Sequence, residues 1–265
     1  MPRADQLLVE RGLASSRSLA QRLITAGVRW QTHNGVWQNV SKNGDVLPND
    51  CKLEFVDDSE SRYVSRGGLK LEGALQATGL QVTGLRCLDV GQSTGGFTDV
   101  LLRRGASLVV AVDAGYGQLA WELRQDERVK ILDRTNIRHL TGEQVGEDID
   151  LVVADLSFIS LSLVLPALAA VSKPEADFVL MVKPQFEVGR EKLGAGGVVR
   201  DPALRRSAVL DVAESAYDVG LGTMGIAASP LPGPAGNVEY FLWLRRGAPA
   251  IDEQSLDQAI EMGPA

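Results

Sequence analysis

Cysteine is scarce. Among 265 residues only Cys51 and Cys87 carry thiols, which leaves no pattern for a disulfide scaffold or a zinc site. No metal is expected, and the pair suits a reducing cytosol. The opening residues, MPRADQLLVERG, lack the apolar run that heads a secretory signal. Positive charge is also short: a formal net charge of -7 offers nucleic acid no overall attraction, so such a role must rest on local basic patches. One long apolar run exists, LVVADLSFISLSLVLPALAAV at 151–171, but Asp155 and Pro166 interrupt it. A strand, a loop and a helix explain it without a membrane span. There is no internal repeat and no low-complexity tract. These absences leave a cytoplasmic, non-membrane chain, long enough for one large domain and a small one.

The chain is organised around 87–113: CLDV, then GQSTGGFTDVLLRRG, then ASLVVAVD. This reads as a buried strand (Arg86–Val90), a Gly-rich turn, an amphipathic helix over about 96–104 and a second buried strand ending in an acid. Gly91, Gly95 and Gly96 permit close backbone approach to a ligand, and the helix start offers free N–H groups. The glycine spacing is G-x-x-x-G-G, not the G-x-G-x-x-G of a pyrophosphate-binding turn, and Asp89 precedes it. A carboxylate there repels a pyrophosphate and suits a cationic ligand. S-adenosylmethionine, with its sulfonium, amine and ribose, fits, and Asp113 is placed to accept both ribose hydroxyls. The bland alternative is a Gly-rich turn with no ligand. The expected cofactor set is Asp89, Gly91, Ser93, Thr94, Gly95, Gly96 and Phe97 from the turn, with Asp113, Asp133 and Asp155 from later strand ends.

The flanking pattern continues an α/β domain. A helix starts at Gly67-Gly68 with Lys70 in its first turn. A helix over 115–126, a third strand over 129–132, a fourth over 149–154 and a fifth over 178–182 follow, the last two apolar throughout as strands buried on both faces are. Asp155 and Lys183 lie just past the carboxyl ends of those strands, where doubly wound sheets hold ligands. Residues 189–200, GREKLGAGGVVR, read as a mobile loop over the site. A helix opens at Asp201-Pro202, a sixth strand spans 222–229 and a last strand over 238–244 bears Glu239 at its start. The expected architecture is a Rossmann-like, mostly parallel seven-stranded sheet over 67–247, with a tail at 248–265 that is frayed or weakly helical.

Residues 1–58 form a unit of their own. A short helix (Ala4–Glu10), a second over about 16–26 capped by Ser15 or Ser16, and short strands over 28–31, 37–40 and 52–56 are expected, with turns at Asn34-Gly35 and Asn43-Gly44. DDSESR within 57–62 reads as a linker, closing at residue 66. RADQLLVERGLASSRSLAQRLITAGVR resembles the start of an S4 RNA-binding domain, which implies Arg3, Arg17, Arg22 and Arg29 as phosphate contacts. A docking module with solvated arginines is the plainer alternative.

Lys70, Asp155, Lys183 and Glu239 thus converge around one crevice. Such charges are costly unless paired, and a lysine crowded by another cation becomes a usable base. The set fits methyl transfer to a ribose 2′-hydroxyl. SRGGLKL, DVGQSTGGFTD, DLSFISL, VKPQFE and GNVEYF resemble, in order, the motifs of the FtsJ-like RNA ribose methyltransferases, and with the S4-like head the chain is similar to the TlyA (hemolysin A-like) family. The resemblance implies S-adenosylmethionine-dependent 2′-O-methylation of cytidine in ribosomal RNA, with ribosomal RNA or subunits as partners. Lys183 would be the base, Asp155 would orient it, and Lys70 and Glu239 would position the ribose. Gln92 stands where the motif has a small residue and is expected to narrow the methionine pocket. Two other functions stay open: a catalytically idle RNA-binding protein and a membrane-lytic one.

Overall fold

The structure is a computed structural model that describes residues 1–14, 16–55, 62–146 and 148–263. Residues 57–61 of the expected linker and Ser15, one of the two expected caps, lie outside that set. The chain divides into two compact units, Met1–Arg66 and Gly67–Ala265.

In the first unit α1 (Ala4–Glu10) and α2 (Arg17–Gly27) pack together on a sheet of β1 (Val28–Gln31), β2 (Trp37–Asn39) and β3 (Lys52–Phe55), in the order β2-β1-β3 with both pairings antiparallel. Ser16 supplies the α2 cap, its hydroxyl accepting the Leu19 N–H at 3.2 Å. The β1–β2 turn closes where Gly35 takes φ +79°, a value that costs glycine nothing. Leu7, Leu8, Leu23 and Val28 are buried in its core. Each such side chain contributes about 1.5–3 kcal/mol.

The second unit starts with α3 (Gly67–Thr78) and continues with β4 (Arg86–Val90), α4 (Gly96–Arg103), β5 (Leu108–Val112), the one-turn α5 (Trp121–Arg124), β6 (Val129–Leu132), α6 (Gly142–Val145) and β7 (Ile149–Ala154). Then come α7 (Leu165–Ala170), β8 (Ser172–Val182), α8 (Pro184–Glu187), α9 (Pro202–Asp218), β9 (Leu221–Ala228), β10 (Tyr240–Arg246) and α10 (Glu253–Glu261). The strands form one seven-stranded sheet, β6-β5-β4-β7-β8-β10-β9, in which only β10 runs antiparallel to its neighbours. Period-2 alternation divides its faces. Leu88, Val110, Val152, Phe178 and Leu242 point into a core shared with α7, α9 and α10. Asp89 and Phe241 point the other way, to Thr98 and Phe97 of α4. Strand order reverses between β4 and β7, the point at which an open α/β sheet opens a crevice beyond its carboxyl ends.

Four elements differ from expectation. The helix expected over 115–126 shrinks to α5, because carboxylates capture the preceding amides: Asp113 takes Gly115 N–H at 2.7 Å and Asp133 takes Gly117 N–H at 3.0 Å. β8 begins six residues early, at Ser172, and carries Pro174 near its start, where a missing donor is tolerated. β10 begins at Tyr240, so Glu239 sits just before the strand. Within the tail, Glu253–Glu261 form a packed helix. α10 is capped by Asp252, which accepts the Ser255 N–H at 2.8 Å, and it buries Leu256, Ala259 and Ile260.

Candidate active site

β4 ends at Val90, and its carbonyl accepts the Asp155 N–H at 3.0 Å, tying the first turn to the segment after β7. Gly91 follows at φ +83°; a Cβ there would lie 2.5 Å from the Asp155 carbonyl oxygen, so no other residue fits the turn. Beyond it opens a cavity of about 720 Å³, within the usual range for a small-molecule site. Gly91, Ser93 and Asp113 form one wall, Thr135 to Arg138 another, and Asp155 to Ile159 a third. Asp113 is rigidly held, one carboxylate oxygen accepting Ser93 N–H at 2.9 Å and the other Gly115 N–H at 2.7 Å. Each oxygen keeps a second lone pair, and Asp113 lines the cavity.

Of the ten expected cofactor residues, Gly91, Ser93, Asp113 and Asp155 line this cavity. The others have structural work behind it. Asp89 is fully buried, with one oxygen accepting the Thr98 hydroxyl at 2.6 Å and the other without a hydrogen-bond donor. Burial first, then the nearby carboxylates of Asp155 and Asp113, push it up to about 7 against the pull of Thr98. Gly95, at φ +99°, caps α4 and leaves room for Leu119 and Leu123, so packing alone already requires a glycine here. Gly96 starts the helix, the Thr94 carbonyl accepts Ala120 N–H at 3.1 Å, and Phe97 packs 6.1 Å from the ring of Phe241. Asp133 does not face the cavity: Gln92 Nε2 donates to it at 2.9 Å. Gln92 therefore points away from the wall it was expected to narrow. Thr135–Arg138, just beyond it, line the cavity instead.

The tetrad residues form two ion pairs at adjoining strand ends. Lys183 Nζ stands 2.5 Å from Asp155 Oδ1 and 3.1 Å from Ser157 Oγ. Lys70 Nζ stands 2.5 Å from Glu239 Oε2, both side chains buried, 8% and 1% exposed. Because Tyr240 pairs with Val182 in the antiparallel register, Glu239 falls opposite Lys183, which brings the two pairs to one end of the sheet. The two lysines stand in separate ion pairs. Each faces its own acid, which removes the cost of burying like charges together.

Two features of this rim carried no sequence signal. Phe158 is 90% exposed, at φ +65°, and its ring lies 5.1 Å from that of Phe186. Arg134 stacks over Tyr116 at 4.3 Å. In the first unit, Arg3 (3.0 Å) and Arg17 (3.1 Å) converge on buried Asp5, while Arg29 pairs with Glu54 at 2.8 Å and Arg22 lies on α2. Burial pushes Asp5 up, but hydrogen bonds led by Arg3 and Arg17 prevail and bring it to about 2.

A seven-stranded sheet with one reversed strand, a glycine turn after β4 and an acid just after β5 define the class of Rossmann-like methyltransferases. The profile of FtsJ-like methyltransferases matches residues 63–246. The 16S/23S rRNA (cytidine-2′-O)-methyltransferase TlyA of Mycobacterium tuberculosis is 55% identical over 260 residues, 97% of this chain and 95% of that protein. A solved structure from Streptococcus thermophilus, whose name uses the word hemolysin, matches at 39% identity and TM-score 0.77 over 98% of this chain and 95% of that one. A Listeria monocytogenes structure named for S-adenosylmethionine-dependent methyl transfer shares the fold alone, at 14% identity and TM-score 0.51 over 68% of this chain and 98% of that one. The chain belongs to the FtsJ-like methyltransferase family, in its TlyA (hemolysin A-like) branch.

Proposed function

We propose that this chain transfers a methyl group from S-adenosylmethionine to the 2′-hydroxyl of cytidine in ribosomal RNA, in the cytoplasm. The observation that carries the reading is the Lys183–Asp155 pair, 2.5 Å apart, with Asp155 also lining the cavity beside Gly91 and Asp113. The cavity suits the cofactor: Gly91 clears the backbone for it, Asp113 presents a carboxylate for ribose hydroxyls, and Asp89 keeps one unpartnered oxygen beneath the turn. When bound, the cofactor supplies an activated methyl group on a sulfonium.

The protein's part is orientation and proton removal. Lys183 takes the hydroxyl proton as the base, and Asp155 holds the ammonium that results. Ser157 fixes the lysine's direction. Lys70 and Glu239, neutralising each other beside Lys183, position the ribose without adding net charge to the pocket. Phe158, exposed at the rim next to this pair, offers a flat face on which a target base can stack. Arg3, Arg17, Arg22 and Arg29 grip phosphates, with Asp5 setting the direction of two of them.

The test is transfer of labelled methyl from S-adenosylmethionine to ribosomal subunits and to naked ribosomal RNA. Lys183→Ala lowers the rate by about 10²–10⁴-fold, the usual contribution of a general base, while cofactor affinity holds. Equal incorporation by wild type and variant would refute the mechanism. The hemolysin name of some relatives suggests lysis; among the described residues no helix is long and apolar enough to cross a membrane, and we expect no leakage from liposomes.

A further inference from the structure

We infer that Glu187 is a positioning residue that clamps the segment after β7 to the segment after β8 and so sets the geometry of the Lys183–Asp155 pair. This inference rests on the methyl-transfer reading of that pair. The two segments leave adjacent parallel strands: 155–160 leaves β7, and Lys183 with α8 leaves β8. The first of them contains Phe158 at φ +65°, a conformation unfavourable for a phenylalanine that lasts only where its surroundings impose it. Lys183 holds the segment on one side of Phe158, through Asp155 at 2.5 Å and Ser157 at 3.1 Å.

Glu187 holds it on the other. Its Oε2 accepts the Ser160 hydroxyl at 2.5 Å, and its Oε1 accepts the Leu161 N–H at 3.0 Å, the start of the short 3-10 turn Leu161–Leu163. Both oxygens of one carboxylate thus bridge to the neighbouring segment, and Glu187 stands one residue from Phe186, whose ring meets Phe158. Hydrogen bonds to a carboxylate are stronger than those between neutral groups, and these two hold the segment in the shape that Phe158 requires. Without the clamp the segment relaxes at its downstream end, and Asp155 and Phe158 lose their placement relative to Lys183.

The chemistry of the bridge gives a discriminating series. Glutamine can make both contacts, its carbonyl accepting Leu161 N–H and its amide donating to Ser160 Oγ; alanine can make neither. We expect Glu187→Ala to cut kcat for methyl transfer at least about tenfold, with Glu187→Gln restoring most of the rate. Ser160→Ala, which removes one of the two bonds, falls between them. Hydrogen exchange supplies a readout independent of turnover: Glu187→Ala speeds exchange of the Leu161 amide while the amides of β7 and β8 keep their protection.

Wild-type kcat in Glu187→Ala overturns the inference, as does a Glu187→Gln variant no better than alanine. Exchange at Leu161 equal to wild type also overturns it. Faster exchange throughout β7 and β8 would assign Glu187 to general stability instead. Absence of transfer by wild type itself would defeat the methyl-transfer reading separately, and the exchange measurement would still decide the clamp.

Discussion

Lys70 and Glu239 form the most deeply buried ion pair assigned to the site, and its removal separates folding from chemistry. Taking two ions out of water costs several kcal/mol each, and their attraction is on the order of 4 kcal/mol at 4 Å for an effective dielectric near 20. The pair therefore adds little net stability. Loss of one partner is another matter, because it strands the other charge in a pocket where it is only 1% or 8% exposed. Lys70→Met should destabilise the larger unit by about 3–5 kcal/mol. With a urea m-value of about 2–3 kcal/mol/M, that moves the unfolding midpoint by about 1–2.5 M. Lys70→Met combined with Glu239→Gln removes both charges and should recover most of this loss. Urea unfolding of wild type, both single variants and the double variant, followed by circular dichroism, completes the cycle. The double variant should still fail to methylate, since the groups that position the ribose are gone. A single variant within about 0.5 kcal/mol of wild type, the level of an ordinary surface change, would refute the buried-pair reasoning. Full activity in the double variant would refute the role in catalysis.

Other residues give independent tests. Gly91→Ala places a Cβ 2.5 Å from the Asp155 carbonyl oxygen at φ +83°; calorimetry should show cofactor binding weakened by about tenfold or more, since displacement of this turn costs over about 1.4 kcal/mol. Asp89, raised to about 7, keeps a proton in the folded chain that the unfolded chain has released, so its contribution is complete below about pH 4 and is lost as pH rises to 7. Asp89→Asn should flatten that decline, a difference on the order of 4 kcal/mol between urea unfolding at pH 4 and pH 8; parallel pH profiles for the two proteins would contradict it. Arg17→Ala should weaken binding to ribosomal RNA and lower the slope of log affinity against log salt by about one. An unchanged slope would mean that Arg17 serves Asp5 alone.

The sheet was readable from sequence because its central strands are buried on both faces: IDLVVA and FVLMV admit few other structures. The strand-end positions of Asp155 and Lys183 followed from the same pattern. The partners did not. Nothing in the spacing says that Lys70 meets Glu239, 169 residues away, and not Asp155. Glycine function was equally hidden. Gly91 and Gly95 look alike in the turn, yet one clears a carbonyl at the cavity and the other makes room for Leu119 and Leu123. α10 read as no more than a frayed or weakly helical tail because its buried face is three residues, Leu256, Ala259 and Ile260, in an otherwise polar stretch. The partners of Asp133 were hidden for a related reason: a carboxylate after a strand can serve a loop amide and Gln92 as readily as a ligand.

The most direct test of the central claim is the chemical location of the transferred methyl group. Ribosomal RNA methylated by the wild-type chain with labelled S-adenosylmethionine should release its label in alkali-stable dinucleotides, because a 2′-O-methyl ribose cannot attack its own phosphate, and Lys183→Ala should leave that fraction nearly empty. Label recovered in ordinary alkali-released nucleotides, or equal label from both proteins, would contradict it.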